Sequence, residues 1–256
     1  VVSLTPVGPS IDIAAGADKP LWLLDLVLPN WGRWRPGQFV MLRPAAWGLD
    51  PLWARPFSIC MAEAGVLRVF FQDVGRGTAA LTRIRPGERV VVWGPLGTSF
   101  AIRPQTPTLL LAGGMGLAPF IGYARVHPDL TDLHLILGHR QDQACYPLNL
   151  LPEGLSKEIM RQQSEEELQA FVEHLERKVL DYAVRDGLVL ACGPHPFLRA
   201  VHGLALRHGV KTQLSLENRM ACGVGACLGC VTEAAQGPPV RVCNQGPVFW
   251  ATDIKL

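Results

Sequence analysis

Four cysteines near the C-terminus have the type and spacing for chemistry: Cys222-x4-Cys227-x2-Cys230, followed by Cys243. Thiolates are the soft ligands that iron in sulfide clusters requires. Three of them at x4 and x2 spacing, with a distant fourth, form the plant-type [2Fe–2S] pattern. The residues between them are small: Gly223, Val224, Gly225 and Ala226, then Leu228 and Gly229. A chain wrapped closely around an inorganic core needs glycine's backbone freedom, and the amides it exposes can donate to sulfur. Four cysteines also suit an all-thiolate zinc site. Zinc sites usually pair short C-x2-C hairpins, whereas three of these ligands share one loop. An iron and acid-labile sulfide assay separates the two readings. Cys60, Cys145 and Cys192 are scattered and read as buried free thiols.

A second set of residues suits phosphate. Arg55-Pro56-Phe57-Ser58 precedes Gly75-Arg76-Gly77-Thr78. Arginine offers bidentate donors to phosphate, and a helix starting near Thr78 would add oriented N–H groups and a favourable dipole. A third set, Gly113-Gly114-Met115-Gly116-Leu117-Ala118-Pro119, follows an apolar run and opens a helix. That is the context of a phosphate-cradling turn, though not the G-x-G-x-x-G dinucleotide fingerprint. Cys192-Gly193-Pro194 follows another apolar run, Leu188–Ala191.

The elements that must position these groups fall into three zones. From Leu21 to about Ala101, short β-rich runs alternate with Pro and Gly: Leu21–Leu28, Gln38–Arg43, Pro56–Cys60, Val66–Asp73 and Arg89–Trp93. This spacing predicts an antiparallel barrel or sandwich, interrupted by one short helix, Thr78–Ile84. From Thr108 to about Val210, strand-length runs (Thr108–Ala112, Leu133–Leu137, Leu188–Ala191) alternate with helices over Glu165–Val179 and Pro196–Arg207. That alternation predicts a parallel sheet with crossover helices. Arg103–Pro107 is the expected linker. The third zone begins near Glu217 and carries the cysteines.

Bulk composition narrows the classes. A 48% hydrophobic, 18% charged chain of 256 residues can bury a core. A net charge of +2 calls for neither nucleic acid nor an anionic membrane. Thr108–Ala124 is apolar, but Gly113, Gly114, Gly116 and Pro119 and its length argue against a membrane span. Val1–Gly16 lacks a basic start followed by an apolar run, so no signal peptide is expected. Seven cysteines, four of them crowded together, fit metal binding in a reducing cytoplasm better than a disulfide scaffold.

Arg55-Pro56-Phe57-Ser58 and Gly75-Arg76-Gly77-Thr78, joined to Gly94-Pro95-Leu96-Gly97, resemble the flavin site of the ferredoxin–NADP reductase superfamily. The resemblance implies Arg55 on the FAD pyrophosphate and Ser58 near flavin N5. It also implies a helix opened by Gly77-Thr78 onto phosphate, with Phe70, Phe71 and Gln72 beside FAD. The superfamily's nicotinamide domain begins with G-G-x-G-x-x-P and carries a Cys-Gly-Pro near its end. Gly113, Gly114, Gly116 and Cys192, Gly193, Pro194 match those strings, with Cys192 expected on the nicotinamide side.

Adding the cluster narrows the resemblance to the electron-transfer subunits of B-type dihydroorotate dehydrogenase. It is carried by Leu216-Glu217-Asn218-Arg219-Met220-Ala221-Cys222 and the loop through Cys230, and by Val242-Cys243-Asn244-Gln245-Gly246-Pro247-Val248-Phe249. It spans about Pro9 to Leu256. It implies a FAD-binding antiparallel β-barrel domain over 1–103, an NAD(P)-binding α/β domain over 104–214 and a [2Fe–2S] domain over 215–256. The implied work is an electron relay in pyrimidine biosynthesis. A flavin, which exchanges electrons in pairs or singly, stands between a hydride carrier and a one-electron cluster. No protein acid or base is expected.

A dihydroorotate-oxidising (β/α)8 barrel needs roughly 250 residues of its own. The resemblance therefore implies an FMN-binding catalytic partner, two of each chain forming a heterotetramer. One stretch departs from the pattern: Arg161-Gln162-Gln163-Ser164 stands where an acidic, glycine-rich segment is usual, which leaves NAD against NADP open. Arg161 reads first as a solvent-facing arginine and second as a contact for a 2′-phosphate, and Ser164 with Glu167 as a capping box. Two other readings stand beside the relay. One is a flavin and iron–sulfur subunit of another NAD(P)H-dependent complex, of ferredoxin:NADP or sulfur-reducing type. The other is a zinc-stabilised nucleotide-binding sensor.

Overall fold

The structure, a computed structural model, describes residues 1–8, 20–28 and 31–256. Pro9, where the resemblance begins, and much of Val1–Gly16 lie outside the described residues. Six strands form the first sheet: β1 Ser3–Val7, β2 Leu21–Val27, β3 Phe39–Pro44, β4 Arg55–Glu63, β5 Val66–Gln72 and, after helix α1 (Arg76–Leu81), β6 Val90–Leu96. They pair antiparallel in the order β1-β2-β5-β4-β3-β6. Side chains alternate across a strand, so one face collects Leu24, Val40, Leu42, Phe57, Ile59, Leu67, Val69 and Phe71 into a core that Leu81 of α1 and Ile84 join.

The short helix begins two residues earlier than expected and ends at Leu81 rather than Ile84. Thr78 explains the start. Its Oγ1 accepts the Val74 and Gly75 N–H groups at 2.9 and 3.0 Å, which closes the turn that launches α1 at Arg76. Beyond Leu81 the backbone tightens, with Arg83 N–H donating to Ala80 O and Ile84 N–H to Leu81 O.

The second sheet is built from β7 (Thr108–Gly113), α2 (Ala118–Val126), β8 (Leu133–His139), β9 (Ser156–Arg161), α3 (Glu165–Val184), β10 (Leu188–Cys192), α4 (His195–His208) and β11 (Lys211–Ser215). The strands run parallel in the order β11-β10-β7-β8-β9. Strands buried on both faces read as continuous apolar runs, and β7 and β10 are buried at every position. At the start of α3, Ser164 Oγ accepts the Glu167 N–H at 3.1 Å, and the Glu167 carboxylate accepts from Ser164 and Gln163. The capping box read from sequence is present. Arg161 is exposed and pairs with Glu167 at 3.4 Å.

The C-terminal stretch forms a two-stranded hairpin, β12 (Val231–Thr232) with β13 (Val240–Arg241), and then β14 (Val248–Trp250). β14 does not stay within a separate unit. It pairs antiparallel with β11, Leu214 opposite Phe249, and forms the outer edge of the second sheet. Sequence reading passed over β1, β11 and β14 because polar residues interrupt β1 and β11 and β14 is only three residues long. Thr98 ties the barrel to the same strand: its hydroxyl donates to Val248 O at 2.9 Å and accepts the Val248 N–H at 3.1 Å. Among the described residues no helix is long and apolar enough to cross a membrane.

Candidate functional site

The phosphate-type residues converge at one end of the barrel. Arg55 opens β4, and its guanidinium lies against Gly77 of α1 so closely that a β-carbon there would collide with Nε. Nη1 donates to the carbonyls of Trp53 and Ala54 at 2.7 and 3.2 Å, and the Trp47 ring lies 6.0 Å from the guanidinium carbon. The side chain is thus aimed from three sides. The Thr78 hydroxyl accepts two N–H groups and has Asp73 Oδ1 (3.1 Å) and Gly75 O (2.9 Å) for its one proton. Its capacity is filled within the turn, so a ligand at this end would meet backbone amides of α1 rather than the hydroxyl.

The aromatic residues expected beside FAD are placed less favourably. Phe57 and Phe71 turn into the barrel and meet edge to face at 5.4 Å, so only their backbone is on offer to a ligand. Phe70 faces the other way and packs on Tyr146 at 6.4 Å. Gln72 and Ser58 are half-buried, Ser58 with Pro56 on the face of β4 opposite the Phe57 core. The physical reason is the period of two: neighbours on one strand cannot share a face.

The nucleotide-type residues meet where the strand order reverses. From β7 the chain proceeds to β8 on one side and later returns as β10 on the other, and such a switch point opens a crevice at the strand C-termini. Gly113–Gly116 leave β7 there and Cys192–Pro194 leave β10. A β-carbon on Gly116 would overlap the Cys192 carbonyl, and one on Gly113 would come 2.9 Å from Pro194 Cδ. Trp34 and the Cys60 carbonyl press on Gly122 of α2, and Trp34 Nε1 donates to Ala62 O at 2.9 Å. These contacts set β4, with Ser58, against the helix that follows the glycine turn.

Cys192 is buried. Burial first, then the charge of Glu217, push its thiol pKa up, opposed by a hydrogen bond with Ser215. Glu217 reaches solvent, yet surrounding protein desolvates its carboxyl and raises its pKa. Sequence reading did not single out Glu217; its signal is a lone carboxylate just past the end of β11, close to the Cys-Gly-Pro turn.

The four cysteines come together in two pairs. Cys222 and Cys227 interact through their side chains, as do Cys230 and Cys243, and Cys222 is close enough to act electrostatically on Cys243. Among the described residues no three His, Cys, Asp or Glu side chains converge on a single-ion site. Two pairs suit a centre of two irons with two thiolates on each. Backbone donors are present: Gly225 N–H to Cys243 Sγ at 3.1 Å, Val224 N–H to Cys222 Sγ at 3.4 Å, and Cys243 N–H to Cys230 Sγ at 3.4 Å. Burial raises the Cys222 pKa, but N–H groups of Val224, Cys227 and Ala226 outweigh it and bring the thiol down to about 6. Burial, with its Cys230 partner, pushes Cys243 up to about 12. Cys227 is exposed, beside Leu228 and Val224 at 60% and 54% exposure.

This loop sits on the barrel. Gly223, at φ +72°, has Met41 Cγ and Leu96 Cδ1 where its β-carbon would be, at 2.6 and 3.1 Å. Trp93 Nε1 donates to Cys222 O at 3.1 Å. In the sheet register Trp93 stands opposite Met41 and Met41 opposite Pro56, while Leu96 stands opposite Phe39 and Phe39 opposite Ser58. Opposed residues share a face. The cysteine loop and the Pro56–Ser58 segment therefore use one face of the barrel, with β3 between them.

Known proteins share the fold and the cysteine segment. A family model described as the iron–sulfur cluster binding domain of dihydroorotate dehydrogenase B matches residues 217–255. The protein named dihydroorotate dehydrogenase B (NAD(+)), electron transfer subunit, of Caldanaerobacter subterraneus subsp. tengcongensis is 31% identical over 223 residues, 86% of each chain. The protein of the same name from Geobacillus kaustophilus is 34% identical over 235 residues, 87% of each. Among solved structures, an NADH-dependent reduced ferredoxin-NADP oxidoreductase superposes at TM-score 0.78 with 21% identity, covering all of this chain and 88% of that one. Ferredoxin-NADP+ reductase from Plasmodium falciparum superposes at 0.65 with 13% identity, covering 81% and 88%. These two show a shared fold. Identity at this level over nearly nine-tenths of the curated relatives, together with the family match at residues 217–255, makes the chain a member of the dihydroorotate dehydrogenase B electron transfer subunit family.

Proposed function

We propose that this chain relays electrons between a nicotinamide nucleotide and a separate dihydroorotate-oxidising subunit, in pyrimidine biosynthesis. Its curated relatives bear that role in their name, with NAD(+) as the nucleotide. The observation that carries the reading is the shared barrel face: the cysteine loop and the Pro56–Ser58 segment lie on one side of β3 and β4, joined through Met41.

Each group of residues then has a task. The four cysteines would hold the [2Fe–2S] cluster, with Gly225 and Val224 amides as donors to its ligands. Arg55 would bind the FAD pyrophosphate, supported by the amides of α1 at Gly77 and Thr78, and the Ser58 hydroxyl would stand toward flavin N5. Gly113, Gly114 and Gly116 would admit the nicotinamide nucleotide's phosphates close to backbone. Cys192, Gly193 and Pro194 would flank its ring, and Glu217 would close that side of the cleft. Bound FAD supplies exchange of electrons both in pairs and singly, and the protein's share is binding, orientation and exclusion of water.

The exposed side of the cysteine loop, Cys227 with Val224 and Leu228, is where a partner would approach. In this reading the partner holds its own FMN, two of each chain assemble, and the complex works in the cytoplasm. The domain limits 1–103, 104–214 and 215–256 are working units, with β14 crossing from the last to the sheet of the second. The test is reconstitution. The loaded chain, mixed with a dihydroorotate dehydrogenase B catalytic subunit, should give dihydroorotate-dependent NAD+ reduction. Mixing that yields no NADH from fully loaded subunits would overturn the assignment.

A further inference from the structure

We propose that Trp93 and Met41 are positioning residues for electron exchange between the flavin site of the barrel and the cysteine loop, an inference that rests on the function proposed above. Neither belongs to the cysteine segment. Trp93 lies on β6 and Met41 on β3, and both reach across to the loop.

Trp93 Nε1 donates to the carbonyl of Cys222, itself one of the four thiol residues, at 3.1 Å and across 129 positions of sequence. Met41 is fully buried, and its Cγ and Sδ lie 2.6 and 3.1 Å from where a β-carbon of Gly223 would stand. The loop backbone therefore rests on the thioether itself, an approach that only glycine at 223 permits. The register Trp93–Met41–Pro56 then leads in one row from the loop to the strand that carries Ser58.

Two consequences follow. Electronic coupling between two centres weakens steeply with their separation, so the contact that fixes the separation sets the rate. The indole N–H also draws density from the Cys222 peptide, and such donors near cluster ligands favour the more negative, reduced state. Trp93 thereby acts on both rate and potential, and Met41 on rate alone.

The test uses the full chain with FAD and cluster bound, their content checked by absorption and by iron and sulfide assay. NADH is mixed rapidly with the parent, W93F, M41A and M41L, and flavin and cluster reduction are followed separately; the cluster's midpoint potential and electron paramagnetic spectrum are recorded. In W93F the flavin-to-cluster step should slow by about tenfold or more relative to the NADH-to-flavin step, consistent with small misplacements costing orders of magnitude. Its cluster potential should move negative. M41A should slow the same step, and M41L, which conserves volume, should restore it. A flavin-to-cluster step in W93F and M41A within about twofold of the parent, well short of that cost, overturns the proposal. A loaded parent whose cluster NADH never reduces overturns the relay itself, and the parent traces alone decide that point.

Discussion

The guanidinium of Arg55 occupies the space a β-carbon would need at Gly77, so the entry of β4 and the first turn of α1 are fitted to one another. Gly77→Ala separates two effects. Alanine favours the helix by ~1 kcal/mol, so folding should survive, but Arg55 must move. Charge-assisted hydrogen bonds contribute ~1.5–3 kcal/mol each, and FAD affinity should fall by about tenfold or more. Flavin fluorescence titration reads it. Arg55→Lys, which keeps charge but loses the fork, should weaken FAD in the same direction.

Gly116 lies under the Cys192 carbonyl with no room for a side chain. Gly116→Ala should push the β7 and β10 ends apart at a cost of ~1–3 kcal/mol in stability. The KM for the nicotinamide nucleotide should rise several-fold while FAD and iron content stay at parental level. Steady-state kinetics with an artificial acceptor, beside cofactor analysis, checks this.

Cys243 is buried and accepts the Gly225 N–H at 3.1 Å, whereas Cys60 is buried in the packing between barrel and second sheet, in a different core cluster from Cys230 and Cys243. Cys243→Ser should abolish labile sulfide and the cluster's broad red absorption. Cys60→Ser should leave both intact. Zinc in stoichiometric amount in a colourless parent would count against the cluster.

Glu158 on β9 gathers Lys178 at 2.6 Å, His174 at 2.6 Å and His134 at 2.9 Å. Burial acts to raise its pKa, but the Lys178 hydrogen bond and charge, with both histidines, outweigh it and hold the carboxyl below its usual 4.5. A folded pKa below the unfolded one means stability that is complete above pH 4.5 and lost as pH falls through the folded value. The side chain is a third exposed, so the discounted contribution is ~0.5–1 kcal/mol. Glu158→Gln should lower thermal stability by that amount at pH 7, and the gap to the parent should close as pH falls below 4.5. Melting curves from pH 3 to 7 measure it.

The residues that could do chemistry were legible in the sequence because local spacing encodes them. Cys222-x4-Cys227-x2-Cys230, Gly113-Gly114-x-Gly116 and Arg55–Ser58 each lie within a few residues, and glycine and cysteine have few other reasons to recur at such intervals. The two sheets were legible for the same kind of reason: period-two runs punctuated by Pro and Gly in the first half, continuous apolar runs between helices in the second. The capping box at Ser164 and Glu167 is likewise a four-residue device, complete in itself.

Tertiary structure alone decided what depends on distant partners. β14 is three residues long and becomes a strand because β11 offers an unpaired edge. The Thr78 hydroxyl proved committed to Val74 and Gly75, and Phe57 and Phe71 to the barrel core, since sequence lists a residue but not the side on which its neighbours stand. Glu217 gained meaning only when β11 ended beside Cys192. The four cysteines were a metal site by spacing. That their loop rests on Met41 and Trp93, on the face of the barrel that carries Pro56 and Ser58, is a matter of strand register, which no local pattern records.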